Sequence, residues 1–305
     1  MQSKNETMKN IINNRLFLLW SVSIMMVFSL IQCSPIQGLQ KSYSSSYTAG
    51  NYAESLSAAE ALLALQGKDG KEVPIETYLM AGKSAFQLKD SDKAMKYLGM
   101  AYSLGSYDNE MLSNLADLYK SEDNLSKEMR VLNDLMKSSD SEYAKSKLER
   151  YFLINIEAEL YEKADSLWSK QSDSFRQSLE GLQGYLTLNN KLGKDKEAIA
   201  TAKKVIKLSP NDYDAKRTLA LDAYNRAEDH YKRSMATYNR NKTRKNYATL
   251  LKQLKQSGKN YRYALGKLKS VYKVKKEKKI ALYISNVYAR LNNKNSAAYY
   301  RRLAK

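Results

Sequence analysis

The chain is poor in the residues that most often do chemistry. It has one histidine, one cysteine, three prolines, twelve glycines and five phenylalanines in 305 residues. A Ser-His-Asp or Cys-His arrangement would have to use His230, which lies between Asp229 and Tyr231 and reads as an exposed helix residue. The lone Cys33 excludes a disulfide framework or a multi-cysteine zinc site within the chain. Neither G-x-G-x-x-G nor a phosphate loop occurs. Acidic pairs such as Glu157/Glu159 and Asp212/Asp214 have helix-surface spacing and say nothing about acid–base chemistry. No catalytic residue, bound metal or cofactor is therefore expected. Scarce proline and glycine favour helices over a sheet fold.

Acid is the other absence. Residues 240–305 hold 20 Lys or Arg and a single carboxylate, Glu277, while the first 239 residues balance 31 basic against 31 acidic side chains. The whole formal charge of +19 thus sits in the last fifth of the chain. Lys252, Lys255, Lys259 and Arg262 lead into Lys267, Lys269, Lys273, Lys275, Lys276, Lys278 and Lys279, which cluster about one expected inter-helix turn. Such a surface would attract an acidic protein or an anionic membrane. At a membrane each nearby cation contributes about 1 kcal/mol, fading over a Debye length of about 8–10 Å. The plainer reading is a solvated face. Tyr261, Tyr263 and Tyr272 interleave with the cations, as in nucleic-acid binders, but the N-terminus argues against that partner.

What is present begins with an address. Lys4, Lys9 and Arg15 precede an uncharged apolar run, Leu16 to Ile31, short for a spanning helix of roughly 20 residues and laid out like an export signal. Cys33 follows at its end. This resembles a bacterial lipoprotein signal, in which cleavage leaves the cysteine N-terminal and lipidated; Gln32 stands where a small residue is usual. An uncleaved anchor and ordinary secretion are the alternatives. No acidic cluster follows Cys33. In lipoproteins of the Bacteroidota such a cluster often marks surface export, so the resemblance implies an outer-membrane position facing the periplasm.

Tyrosine is abundant at 24 residues and suits thin helix layers, since it fills a gap while its hydroxyl finds a partner at the rim. A period of about 34 residues runs through most of the chain. Gly82 and Ala116 are 34 apart, and the column Ala94, Glu128, Ala164, Ala198, Ala264, Ala297 has spacings of 34, 36, 34, 66 and 33. Pro74 precedes one helix, Gly193 marks a tight turn, and Pro210 ends another helix. The spacing of 66 predicts a repeat hidden between 213 and 246, yet Tyr224 to His230 carries no Gly or Pro, and Asp212 to Tyr238 reads as one helix striped by Tyr224, Tyr231 and Tyr238. That stripe is expected to pack on a following helix at 247–256.

The pattern resembles the tetratricopeptide repeat, two antiparallel helices in 34 residues. The resemblance implies an all-α, right-handed superhelical array of about seven or eight helix pairs, one degenerate with a long helix. The expected division is a signal segment 1–32, a polar tether 33–48, an array 49–212, and a degenerate repeat with basic repeats over 213–305. The resemblance also implies a concave groove lined by first helices, where Lys83, Asp117, Lys120, Gln183, Asn190 and Arg217 would hold a partner segment. The expected function is a non-enzymatic, lipid-anchored scaffold for one or more protein partners, acidic ones included, in an envelope complex. A spacer that touches anionic lipid or lipopolysaccharide and a glycan-capturing lipoprotein are the alternatives.

Overall fold

The structure is a computed structural model and describes residues 35–68, 72–138 and 140–305. Cys33 and the segment read as a signal lie outside the described residues. The described residues form two compact units that divide between Lys147 and Leu148. Helices and short turns make up both, with no strand among the described residues.

The first unit holds three helix pairs: α1 (Pro35–Thr48) with α2 (Tyr52–Lys68), α3 (Ile75–Gln87) with α4 (Ser91–Ser103), and α5 (Asn109–Ser121) with α6 (Leu125–Leu135). Helix α7 (Glu142–Glu157) runs through the division, and the second unit continues with α8 (Tyr161–Trp168), the short α9 (Asp173–Gln177), and the pair α10 (Leu179–Leu192) and α11 (Asp195–Leu208). Two long helices follow, α12 (Tyr213–Arg240) and α13 (Arg244–Val274), and then the pair α14 (Lys278–Arg290) and α15 (Lys294–Leu303).

Side-chain caps set most helix starts. Asp90, Asp108, Asn124, Ser178, Asp212, Thr243 and Asn293 each accept from a backbone N–H three residues on, satisfying a donor the helix leaves open. The small-residue column sits where paired helices meet: Ala94, Ala164, Ala198 and Ala264 are buried. A methyl group on Gly82 would lie 2.8 Å from the backbone nitrogen of Leu98, so helices α3 and α4 approach more closely there than any side chain allows. Glu128, at the same column position in α6, is also buried.

Two expectations need correction. The stretch read as a polar tether is helical from Pro35, with Tyr43 and Ser46 buried and the Tyr43 carbonyl accepting a 2.9 Å hydrogen bond from Ser55. Tyr43, Ser46 and Tyr47 lie three and four residues apart, which puts them on one helix face, and it is the first helix of a pair whose turn is at Gly50. Second, no repeat hides between 213 and 246. The 66-residue spacing is one pair with both helices lengthened to 28 and 31 residues, and α13 runs unbroken through the expected boundaries at 247 and 256.

The first-to-second-helix turns share one backbone device, except the turn between α12 and α13. Gly50, Lys89, Asp123, Glu159, Gly193 and Asn292 all adopt left-handed conformations with φ between 52° and 78°. Only two of them are glycine. A residue with a Cβ is strained there by roughly 1–2 kcal/mol, less for Asn and Asp. Replacing Lys89 or Glu159, both exposed, by glycine is therefore expected to raise unfolding stability by up to about 1 kcal/mol, after allowing for the freer unfolded chain. Gly193→Ala should lower it by a similar amount. Urea unfolding followed by circular dichroism measures both; a gain from Gly193→Ala would contradict the shared-turn account.

Candidate binding surfaces

Five of the six residues expected to line a groove have partners within the array, although Asp117, Gln183 and Asn190, like Lys120, remain exposed. Lys83 is buried, its ammonium 2.8 Å from both Asp108 and Glu110. Burial opposes its charge, but the two carboxylates outweigh it and hold the ammonium pKa above its ordinary value. Lys83 is therefore a tie between α3 and the start of α5, not an open contact. Asp117 accepts from Lys147 at 2.6 Å, Gln183 donates to Asp212 at 2.7 Å, and Asn190 shares hydrogen bonds with Thr218 at 3.0 and 3.2 Å. Arg217 reaches Glu277 at 3.1 Å. Lys120 is exposed and has no polar side-chain partner among the described residues. In a repeat array the polar flank of one helix meets the next pair, so side chains that read as outward-facing become inter-repeat ties.

Tyrosine takes up many carboxylates in the same way. Tyr97 donates to Glu60 at 2.9 Å, Tyr213 to Glu277 at 2.7 Å, and Tyr261 to Glu228 at 2.9 Å, while Tyr47 and Tyr102 donate to Glu110 and Asp134. Burial, and then the neighbouring Glu60, push the Tyr97 hydroxyl up to about 12. These pairs occupy acids that could otherwise balance cations.

The basic residues fall differently. From His230 through Lys276 there are 15 Lys or Arg and no Asp or Glu. Of these cations, only Lys275 has a carboxylate of the described residues within 4.0 Å, Glu277, and that acid already serves Tyr213 and Arg217. The base of the α12–α13 hairpin packs Ala223, Tyr224, Ala227, Tyr261, Ala264 and Leu268 against Ile280, Ala281, Ile284 and Val287 of α14. Farther out, the two helices hold each other through buried Ser234, Leu250 and Ser257 and the Tyr238–Tyr247 ring pair. Lys252, Lys255, Lys259 and Arg262 lie exposed along α13. Tyr247 and Leu251, each 50% exposed, sit among them near the outer turn.

Near the inner turn the structure separates the lysines into distinct settings. Lys269, Lys273 and Lys276 border an open cleft of about 790 Å³ between α13 and α15, walled by Tyr299, Tyr300 and Leu303. Lys267 lies over the Tyr263 ring in another cleft, of about 550 Å³, together with Arg226, Arg233 and Lys203. Lys275 lies over the Tyr213 ring, Lys278 donates to the Lys305 carbonyl, and Lys279 is exposed. Sequence reasoning missed Lys203, Arg226 and Arg233, which precede the charge boundary at 240, and missed the Tyr299/Tyr300 wall. The adjacent tyrosines at 299 and 300 on the last helix were the available signal.

His230 is half-buried, and its Nδ1 lies 2.8 Å from the hydroxyl of Ser257, which is 2% exposed. This corrects the reading of His230 as a free surface residue: it is part of the hairpin seam. The serine oxygen is too enclosed to meet a substrate. No group of three His, Cys, Asp or Glu among the described residues is arranged to hold a metal. None of the described helices is long and apolar enough to cross a membrane. Trp168 is stacked on Tyr185 at 4.1 Å and lies 5.3 Å from Phe152, so its ring is not an open platform for a sugar.

No protein-family profile matches the chain, and no curated protein does. Solved structures similar to it include a tetratricopeptide repeat protein from Parabacteroides merdae, 14% identical, with 88% of this chain and 92% of that one aligned at a TM-score of 0.40. Another is a repeat protein of the same kind from Bacteroides fragilis, 14% identical over 83% and 98% of the two chains, with a TM-score of 0.34. The all-α assignment rests on the helix pairs and turns described above.

Glu228 anchors the basic region. Its carboxylate is buried between Arg290, at 3.0 Å through two nitrogens, and Tyr261. Burial pushes the carboxyl pKa up, but the hydrogen bonds from Arg290 and Tyr261 outweigh it and leave it below the ordinary value. A carboxylate with a depressed folded pKa stabilises fully above the ordinary carboxylate range and loses that contribution as pH falls through the folded pKa. Glu228→Gln is expected to cost about 2 kcal/mol at neutral pH, in the range for hydrogen bonds to a charged group. The gap between wild type and variant should close as the pH falls below that range. Urea unfolding at several pH values tests this; a gap that does not change with pH would remove the ion pair as its cause.

Proposed function

We propose that the chain is a non-catalytic protein-binding scaffold, held to a bacterial envelope membrane through Cys33, whose second unit captures an acidic protein partner. One observation carries the partner's charge: the cations between His230 and Lys276 have almost no carboxylate to pair with, although acids elsewhere are taken up in structural ties. A field of one sign raises the encounter rate with a partner of the other sign, and salt screens it over about 8–10 Å. The lipid anchor is supported by the apolar run 16–31 and the Cys33 that follows it, and the outer-membrane position facing the periplasm by the lack of an acidic cluster after Cys33.

A second reading has its own support. Tyr247 and Leu251 are exposed beside Arg244, Lys245 and Lys252 near the outer end of the hairpin, a combination suited to the interface of an anionic bilayer. In that reading the hairpin is a spacer that touches lipid or lipopolysaccharide. Capture of glycans has less support, because Trp168 is stacked internally.

Crosslinked pull-down from envelope membranes separates these readings. The scaffold reading expects a small set of acidic proteins whose recovery falls when Lys252, Lys255 and Lys259 are changed to Glu. Recovery of no protein, with lipid crosslinks at Tyr247 instead, would favour the spacer. Cys33→Ser is expected to release the chain from the membrane fraction; unchanged association would favour an uncleaved N-terminal helix.

A further inference from the structure

We propose that the cleft between α13 and α15 is a docking site for an acidic protein segment bearing bulky apolar side chains. The proposal rests on the scaffold reading and names where its partner is gripped. Helix α15 has no buried residue along its length, although it carries Tyr299, Tyr300 and Leu303. Tyr299 is 51% exposed and Leu303 39%. Tyr300 is the hub of the wall, 5.2 Å from the Tyr299 ring, 5.9 Å from Tyr272 and 5.7 Å from Tyr288. The wall is thus rigid on its inner side and open on its outer side.

The rim fixes the sign of the occupant. Lys269, Lys273 and Lys276 border the cleft, Lys276 lying 4.9 Å from the Tyr272 ring centroid, and no carboxylate lines it. A second copy of this chain would bring its own basic surface, and residues 1–34, with three cations and one acid, are net positive as well. Both are poor occupants. A flat bilayer cannot enter a concave volume of about 790 Å³, whereas two or three large side chains can. Carboxylates on the same segment would meet the lysines at the rim.

Gly266 adds to the room in the cleft. It lies within α13 and lines the cleft. Its backbone is not left-handed, and a Cβ built on it has no atom within 4 Å. Neither turn geometry nor packing asks for glycine there, and glycine inside a helix weakens it. Its effect is to leave the floor of the cleft clear. Gly38 and Gly99 have the same free space inside other helices, so Gly266 matters for its place on the cleft and not for its openness, whereas Gly82 and Gly184 meet neighbouring side chains.

The test uses the full chain in nanodiscs of neutral phosphatidylcholine. Two fluorescent probes of equal negative charge are compared by anisotropy: a short helix-forming, glutamate-rich peptide with a Leu–Trp stripe, and an oligoglutamate without the stripe. The striped peptide is expected to bind at least about ten-fold more tightly. Gly266→Phe, which fills the cleft and leaves every charge in place, should reduce it to the oligoglutamate level, with the helical circular-dichroism signal retained. Tyr299→Ala, a surface change, should weaken the striped peptide selectively, and Lys273→Glu should weaken both probes. Equal binding of the two probes, or a striped peptide unaffected by both Gly266→Phe and Tyr299→Ala, would overturn the cleft and leave the basic surface standing as a general anion binder. Loss of peptide binding on discs containing phosphatidylglycerol would assign the cleft to lipid and overturn it. Binding of neither probe would remove the acidic-partner reading as well.

Discussion

Close approach of paired helices is the constraint on which the rest of this structure depends. Where Ala94, Ala164, Ala198 and Ala264 are buried, and where Gly82 faces Leu98, little more than a methyl group fits between the helix axes. Layers this thin cannot enclose large apolar side chains on all sides. Tyrosine meets the shortage, because its ring packs in the layer and its hydroxyl ends at the edge. That hydroxyl needs an acceptor, and in five places the acceptor is a carboxylate. The packing of the fold therefore also decides where its negative charge is spent.

The two kinds of surface follow from that division. In the first unit, acids and lysines are evenly supplied, and ties such as Lys83 with Asp108 and Glu110 join one pair to the next. Over the last fifth of the chain, within the second unit, the supply of acid falls to Glu277 alone. Glu228 and Glu277 serve Arg290, Tyr261, Tyr213 and Arg217, and the remaining cations face solvent. A surface like this gains little stability from its charges, so their segregation bears on partners more than on the fold.

The period and the all-helical class were legible in the sequence because small residues recur at the depth where helices touch. Less legible were the turns. Gly193 announced its left-handed backbone, but Lys89, Asp123, Glu159 and Asn292 adopt the same conformation, and a strain of roughly 1–2 kcal/mol is readily offset by the caps and packing on either side. Counting positions misjudged the 66-residue gap, since an extra pair and a lengthened pair have the same spacing. The missing Gly and Pro between Tyr224 and His230 was the better guide. Groove residues were the hardest, because a polar helix face looks the same whether it meets water or the next repeat. The cleft beside Tyr299 depends on which residues of α13 lie opposite α15, which no local pattern specifies.

The lengthened hairpin has one more consequence, for how this chain tolerates insertion. Helices α12 and α13 exceed the 13 residues of α3, α4 and α5 by 15 and 18 residues, which is close to four and five whole turns at about 3.6 residues each. Whole turns restore the angular phase, so the faces carrying Ala220 to Ala227 and Tyr261 to Val271 still meet Ile280 and Ile284. Length in this arm is therefore quantised. Growth or shrinkage by a full turn in each helix preserves the seating of α14, whereas a change of two residues in one helix would rotate its inner face by about 200° and unseat everything beyond it.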